Sequence, residues 1–365
     1  CRLVPPRGDI VFQPARVAVV VAADFYRDRV VLVTGATGFV GQRLIAALRE
    51  RGARLRVLVR SGHALPAGEC NLEIVMGDLA DAGSLARACT GANAVIHAAG
   101  FAHADAADTP DFADRHWQVN AEGTFRLLEA AVTAGVERFV FLSSVKAVGD
   151  PGQRCVDESW VAVPETPYGQ AKRAAEDRVL RVGYERGLHT VNLRPALIYG
   201  PGMKANLARL IKAARRGWLP PLPETGNRRS LVHVDDVVQA TLLAVAHPAA
   251  AGRTYFVTDG TPCSGRTLYV TLREALGRSV PNWAIPAKVL YGVAAFVDGV
   301  SRLSGRRNRR AQMALDKLLG WACYDSTRIG IELGYRPAWT LERYCKEIKW
   351  QGSGECRNRG MREAG

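Results

Sequence analysis

The sequence predicts an α/β chain: a doubly wound parallel sheet with a smaller mixed region folded against it. Three observations predict it. Short apolar runs rich in Val, Ile and Leu alternate with helical patterns from residue 29 to about residue 200. The first run leads straight into a glycine-rich turn and then a helix, at 35–41. After about residue 200 that rhythm gives way to proline-rich loops such as "WLPPLPETG" and to shorter elements. Strands alternating with helices imply right-handed crossovers and a sheet covered on both faces, so ligands belong at the carboxyl ends of its strands.

The elements follow in order. "RVVLVT" reads as a buried strand, then "GATGFVG" as a turn, then "QRLIAALRERG" as a helix. "RLRVLV", "LEIVMGD" and "AVIHAAG" read as three further strands, and "NAEGTFRLLEAAVTAG" as a helix. "RFVFLSS" is the next strand, and "TPYGQAKRAAE" opens the next helix. In that helix Thr166 is a good N-cap and Pro167 suits the first helical position. "HTVNLRP" closes the regular part, and "TYFVTDG" is a returning strand in the later region. This divides the chain into an extension at 1–28, a dinucleotide-binding domain at 29–200, a mainly substrate-binding region at 201–345 and a disordered tail at 346–365.

Composition narrows the function classes. The chain has 365 residues, 48% hydrophobic and 23% charged, which is ordinary for a globular protein. No apolar run reaches the roughly 18 residues of a spanning helix, and "VAVVVAA" at 17–23 is too short. The eight cysteines show no C-x-x-C spacing, so they read as free thiols of a reducing, cytoplasmic compartment. The seven histidines are dispersed, and no metal is proposed. A net charge of +14 suits anionic small molecules, a membrane surface or nucleic acid, but no nucleic-acid motif accompanies it. Residues 289–303 have apolar residues at helical spacing, with four arginines after them. They read either as a packed helix or as one resting on anionic lipid.

Four motifs carry chemistry. Gly35, Gly38 and Gly41 sit where backbone must approach a pyrophosphate at a helix N-terminus, although a tight turn without ligand would use the same residues. Arg60 ends the second strand, where a carboxylate would read a ribose hydroxyl. An arginine there can pair with a 2′-phosphate or simply be solvated, which tilts the choice slightly toward NADP over NAD. Ser143 and Ser144 end the "RFVFLSS" strand, as caps or as donors to a reacting oxygen. Tyr168 and Lys172 share one helix face, as a surface pair or as a phenol whose ionisation a nearby ammonium and a helix N-terminus favour.

In order, "TGATGFVG", "GDL" at 77–79, "HAAG" at 97–100, "VNAEGT" at 119–124, "LSS" at 142–144, "YGQAK" at 168–172, "RPALIYGPG" at 194–202 and "RRSLVHVDD" at 228–236 resemble the extended short-chain dehydrogenase/reductases, in the NAD-dependent epimerase/dehydratase branch. The resemblance covers about residues 29–340 and implies a Rossmann fold, an enzyme, and NAD or NADP as cofactor. It implies catalytic roles for Ser144, Tyr168 and Lys172, and cofactor contacts from Gly35, Gly38, Phe39, Val40, Gly41, Arg60, Asp78, Leu79, Ala98, Ala99, Tyr168, Lys172 and Pro195. Asn120 would hold the helix geometry of the site, and Ser144, Asn206 and Arg229 would meet the substrate, the last two at a sugar diphosphate.

The later half most resembles nucleotide-sugar or lipid-linked-sugar 4-epimerases and 4-ketoreductases of polysaccharide pathways, acting as homodimers. Val145 and Lys146 replace the acid pair of sugar dehydratases, which argues against that reaction; Val148 replaces a tyrosine of many epimerases. The alternatives are a 3β-hydroxysteroid-type dehydrogenase and a non-catalytic NADP-sensing protein. A nucleic-acid binder ranks below both.

Overall fold

A computed structural model describes residues 25–60, 71–101, 110–203, 206–303 and 310–348. In chain order it runs β1 (Val30–Thr34), α1 (Phe39–Glu50), β2 (Arg54–Val59), β3 (Leu72–Met76), α2 (Ala82–Cys89) and β4 (Ala94–His97). Next come α3 (Pro110–His116), a π-helical segment (Trp117–Glu122), α4 (Gly123–Thr133), β5 (Arg138–Leu142), β6 (Cys155–Val156), α5 (Pro167–Arg186), β7 (His189–Pro195) and β8 (Leu197–Tyr199). The later part holds α6 (Asn206–Arg216), β9 (Leu231–His233), α7 (Val234–Ala246), β10 (Arg253–Val257), α8 (Gly265–Ala275), α9 (Ala287–Leu303), α10 (Arg310–Leu319), β11 (Cys323–Tyr324), α11 (Thr327–Leu333) and α12 (Leu341–Ile348).

Seven strands pair in the order β10-β7-β5-β4-β1-β2-β3, every ladder parallel. β1, β4 and β5 are apolar almost throughout because both sheet faces are covered, so no polar side is needed. One face packs Leu44, Leu48, Val237 and Leu243 from α1 and α7; the other packs Leu85, Leu127, Leu128 and Val179 from α2, α4 and α5. The chain leaves β1 toward β2 on one side and returns to β4 on the other, and this reversal opens a crevice at the strands' carboxyl ends. "TYFVTDG" supplies β10, which extends the main sheet beside β7. Tyr199, Leu207, Leu222, Tyr269 and Trp339 form a separate core in the later region.

Two expectations need correction. Residues 25–28 do not trail away from the fold: Tyr26 is buried and its hydroxyl donates to the Leu242 carbonyl at 2.6 Å. The cysteines are not all free thiols, since Cys155 and Cys323 form a disulfide joining β6 to β11. Their sequence separation is 168, so no local spacing could announce the pair. Among the described residues Cys89, Cys263 and Cys345 are free and buried. The cytoplasmic reading rested on free thiols and loses that support. No helix of the described residues is long and apolar enough to cross a membrane.

Closing so long a loop is worth about 2–4 kcal/mol through the unfolded chain. Reductant is therefore expected to lower the melting temperature of the native chain and to leave that of Cys155→Ser unmoved. Equal melting curves for the native chain with and without reductant would contradict a structural disulfide.

Candidate active site

The turn after β1 is shaped for close approach. Gly35 has φ +73°, and a Cβ there would lie 2.6 Å from the Ala98 carbonyl carbon and the Ala99 nitrogen. A Cβ on Gly41 would lie 2.1 Å from the Gly35 oxygen, so α1 can seat against the turn only as glycine. Gly38 caps α1 without any side-chain hydrogen bond, and its own N–H donates to Gly35 O at 2.9 Å. No side chain competes for the first-turn amides of α1, which leaves the positive end of a helix facing the crevice. Phe39 and Val40 form the first turn and are half-buried. These residues fit a dinucleotide pyrophosphate.

Around that turn, Asp78 and Leu79 follow β3, with the Asp78 carboxylate accepting from Ala80 N–H at 2.9 Å. Leu79 lies against α4, where a Cβ on Gly123 would come within 3.0 Å of it. Arg60 is exposed directly after β2, and Pro195 ends β7 at the same edge of the sheet. The site residues expected here therefore share one rim.

β4 enters that rim through an ordered hydrogen-bond chain. The Thr124 hydroxyl donates to Asn120 O at 2.8 Å, so it accepts from His97 Nε2 at 3.0 Å. His97 Nδ1 then accepts from Thr34 Oγ1 at 2.6 Å, and Thr34 Oγ1 accepts from Ala99 N–H at 3.3 Å. Burial, with Lys172 adding to it, pulls His97 down to about 3, so it stays neutral and its tautomer is fixed. Asn120 clamps the next stretch: its amide accepts from Phe101 N–H at 2.8 Å and donates to Phe101 O at 2.9 Å and His116 Nδ1 at 3.1 Å. The π-helical segment carries Asn120 inward to do so.

The second half of the site is built by α5. Thr166 caps it, accepting from Gly169 N–H at 3.1 Å, with Pro167 in the first turn, as the sequence predicts. A Cβ on Gly169 would lie 2.2 Å from Lys146 O, so the glycine after Tyr168 lets the turn that follows β5 touch α5. That contact sets the Ser144 hydroxyl beside Tyr168, close enough to favour the ionised phenol. Ser144 Oγ also accepts from Lys146 N–H at 3.2 Å. Ser143 is buried, and its hydroxyl has no hydrogen-bond partner among the described residues.

Lys172 is buried, and its Nζ donates to Leu142 O at 2.8 Å and lies 4.4 Å from the centre of the Phe141 ring. The ammonium thus faces the end of β5 instead of the phenol. Burial pushes Tyr168 up to about 12, against the pull of the Ser144 hydrogen bond. The lowering expected from Lys172 is not seen: desolvation dominates, and Ser144, not Lys172, opposes it. Burial also takes Lys172 down to about 8, with Glu176 acting in the opposite direction.

Sequence reading missed the support beneath Lys172. Glu176 is buried and paired with buried Arg194 through two bonds, 2.8 and 2.6 Å. The four-residue spacing from Lys172 to Glu176 was the available signal. It also missed Lys317. Arg229 donates to Gly320 O at 3.0 Å and Asp316 O at 3.5 Å, at the end of α10, which sets Lys317 beside it. Lys146 is pulled below the ordinary lysine range, first by desolvation and next by Arg229, with Lys317 also contributing. Asp150 and Glu165 act on Lys146 in the opposite direction. Asn206 begins α6, and its side chain lies outside the described residues.

A sequence profile of the NAD dependent epimerase/dehydratase family matches residues 31–257. The chain belongs to that family. Within it, the chain is 30% identical to a UDP-glucose 4-epimerase of Vibrio cholerae, over 87% of this chain and 93% of the relative. It is 29% identical to a 3-beta-hydroxysteroid dehydrogenase of Mycolicibacterium neoaurum, over 87% and 89%. A solved structure of MoeE5 in complex with UDP-glucose and NAD aligns with TM-score 0.67 and 26% identity, over 88% of this chain and 97% of the other. Family members include sugar epimerases and hydroxysteroid dehydrogenases, and the chain is an enzyme of the same short-chain dehydrogenase/reductase superfamily.

Proposed function

We propose that the chain is an NAD(P)-dependent nucleotide-sugar 4-epimerase or 4-ketoreductase of surface-polysaccharide synthesis. The observation that carries this reading is one juxtaposition. Ser144 lies beside Tyr168 where β5 ends, and Lys146, two residues after Ser144, is within electrostatic reach of Arg229 and Lys317. Two hydroxyls suit one reacting alcohol or ketone oxygen, and the cations suit a diphosphate. The UDP-glucose epimerase relative and the UDP-glucose complex of MoeE5 support the same class. A hydroxysteroid, which the other relative's name suggests, would give those cations nothing to bind. A lipid-linked sugar diphosphate would satisfy them equally well.

The cofactor, when bound, accepts and returns the hydride. Gly35, Gly38 and the open N-terminus of α1 would hold its pyrophosphate, and Lys172 its ribose. Ser144 steadies the substrate oxygen, and Tyr168 exchanges its proton. With Tyr168 pushed up to about 12, the group at rest is the acid, which suits protonating a developing alkoxide.

The deciding experiment offers UDP-hexoses, a UDP-4-ketohexose and a 3β-hydroxysteroid in parallel, with mass spectrometry of any cofactor released from the purified protein. Tightly retained NAD with interconversion of 4-epimers supports the epimerase. NADPH consumption with the keto sugar supports the reductase. Steroid oxidation with no sugar turnover overturns the proposal.

Arg60 decides the choice of dinucleotide. It is exposed at the adenosine end of the rim, and a charge-assisted pair with a 2′-phosphate is worth about 1.5–3 kcal/mol. Arg60→Asp is expected to shift relative affinity from NADP toward NAD by about one to two powers of ten. Unchanged relative affinity in a fluorescence titration would mean that Arg60 is merely solvated.

A further inference from the structure

α9 presents a face that water does not explain. It buries Leu290 and Ala294 and uses buried Asp298 to accept the Ala311 and Gln312 N–H groups of α10, each at 3.0 Å. Its opposite face carries Val289, Val293, Phe296, Val297 and Val300, all exposed, Phe296 to 73%. No charged side chain interrupts that face between Val289 and Val300. An apolar stripe three turns long on a helix surface marks an interaction site.

Two exposed indoles lie near the start of α9. Ile285 N–H donates to Pro221 O at 2.9 Å, which ties the loop after α6 to the residues entering α9. Trp218 and Trp283 flank that tie and are exposed to 73% and 62%. Cations lie beside Trp218 and at the start of α9. Arg216 lies 5.1 Å from the Trp218 ring centre, Arg278 donates to Ala214 O and to Arg215 O, and Lys288 opens α9. α6 contributes Lys212, Arg215 and Arg216 and contains no acidic residue. Apolar helix face, indoles and a cationic rim are the composition of a surface that lies in a bilayer interface.

We infer that the α9 face, with Trp218 and Trp283, seats this enzyme on an anionic lipid bilayer. A second copy of the chain fits less well. A two-fold interface centred on this face would bury the valine stripe but leave Lys212, Arg216 and Lys288 without anionic partners, since α6 and the exposed face of α9 carry no acidic residue. A bilayer rich in anionic headgroups meets both the stripe and its rim. The seated face is one helix removed from the candidate substrate site: Tyr291 of α9 donates to Asp316 at 2.9 Å, and Arg229 donates to the Asp316 carbonyl. The inference is independent of which substrate the site takes.

The test is co-sedimentation of the full chain with vesicles of phosphatidylglycerol and phosphatidylcholine, against phosphatidylcholine alone, at about 0.05 and 0.5 M salt. Binding to the anionic vesicles is expected, weakening as salt rises. Phe296→Asp combined with Val297→Asp should reduce it about tenfold or more, and Arg215→Glu with Arg216→Glu should remove the preference for anionic lipid. Unchanged cofactor binding shows that each variant is folded. Equal, negligible binding to both vesicles overturns the inference. So does a wild-type dimer in light scattering that becomes a monomer in the Phe296→Asp, Val297→Asp variant, because the face is then covered by a second copy.

Discussion

Tyr168→Phe is expected to leave the fold and dinucleotide binding intact and to lower turnover by about two to four powers of ten, the usual contribution of a positioned proton donor. The substitution removes one oxygen, which lies beside the Ser144 hydroxyl. Ser144 keeps its bond from Lys146 N–H, so the turn after β5 stays in place and the stability cost is held to about 1 kcal/mol. Cofactor titration and a thermal melt test the first half of the expectation, and turnover of whichever sugar the native chain accepts tests the second. A phenylalanine variant working at near wild-type rate would remove Tyr168 from the chemistry. The pH profile adds a check. Tyr168, near 12, stays protonated through neutrality, while Lys172, near 8, loses its proton as pH rises. Activity that depends on the ammonium should therefore fall above about pH 8.

Glu176→Ala is expected to cost about 3–5 kcal/mol of stability, because it strands the Arg194 guanidinium in a buried site. The carboxylate accepts both arginine bonds, and the Glu176 carbonyl holds the Asn192 amide at 3.2 Å, so this ion pair pins α5 onto β7. It also has a functional reading. Glu176 is the charge that raises Lys172 against desolvation, so its loss should move the alkaline limb of activity below about pH 8. The double variant Glu176→Leu, Arg194→Met separates the two effects. Without either charge buried, stability should largely return, while the limb stays displaced. A limb unmoved in the double variant would leave Glu176 a purely structural residue.

The sequence by itself determined whatever depends on a few neighbouring residues. Apolar runs too continuous for a half-exposed sheet marked β1, β4 and β5 as covered on both faces. Thr166 and Pro167 marked the start of α5, and Gly35, Gly38 and Gly41 marked a turn that a Cβ would block. Those signals are steric or hydrogen-bonding limits on a short stretch of backbone, so they survive without knowledge of the rest. The order of motifs along the chain named the family for the same reason.

The tertiary structure alone decided what separate segments do to one another. Tyr168 and Lys172 stand one turn apart, which suggested that the ammonium would ionise the phenol. Packing turned Lys172 toward Leu142 and Phe141 and buried both groups, and desolvation raised the tyrosine instead. Cys155 and Cys323 met only because β6 and β11 pair across the fold. Lys146 and Lys317 became neighbours of Arg229 through a loop after β5 and the end of α10. α9 reads as amphipathic in sequence, but which of its sides faces outward depends on where α10 lies. Charge, burial and exposure are set by neighbours that crossover connections bring together from distant positions, and a local pattern carries no record of those distances.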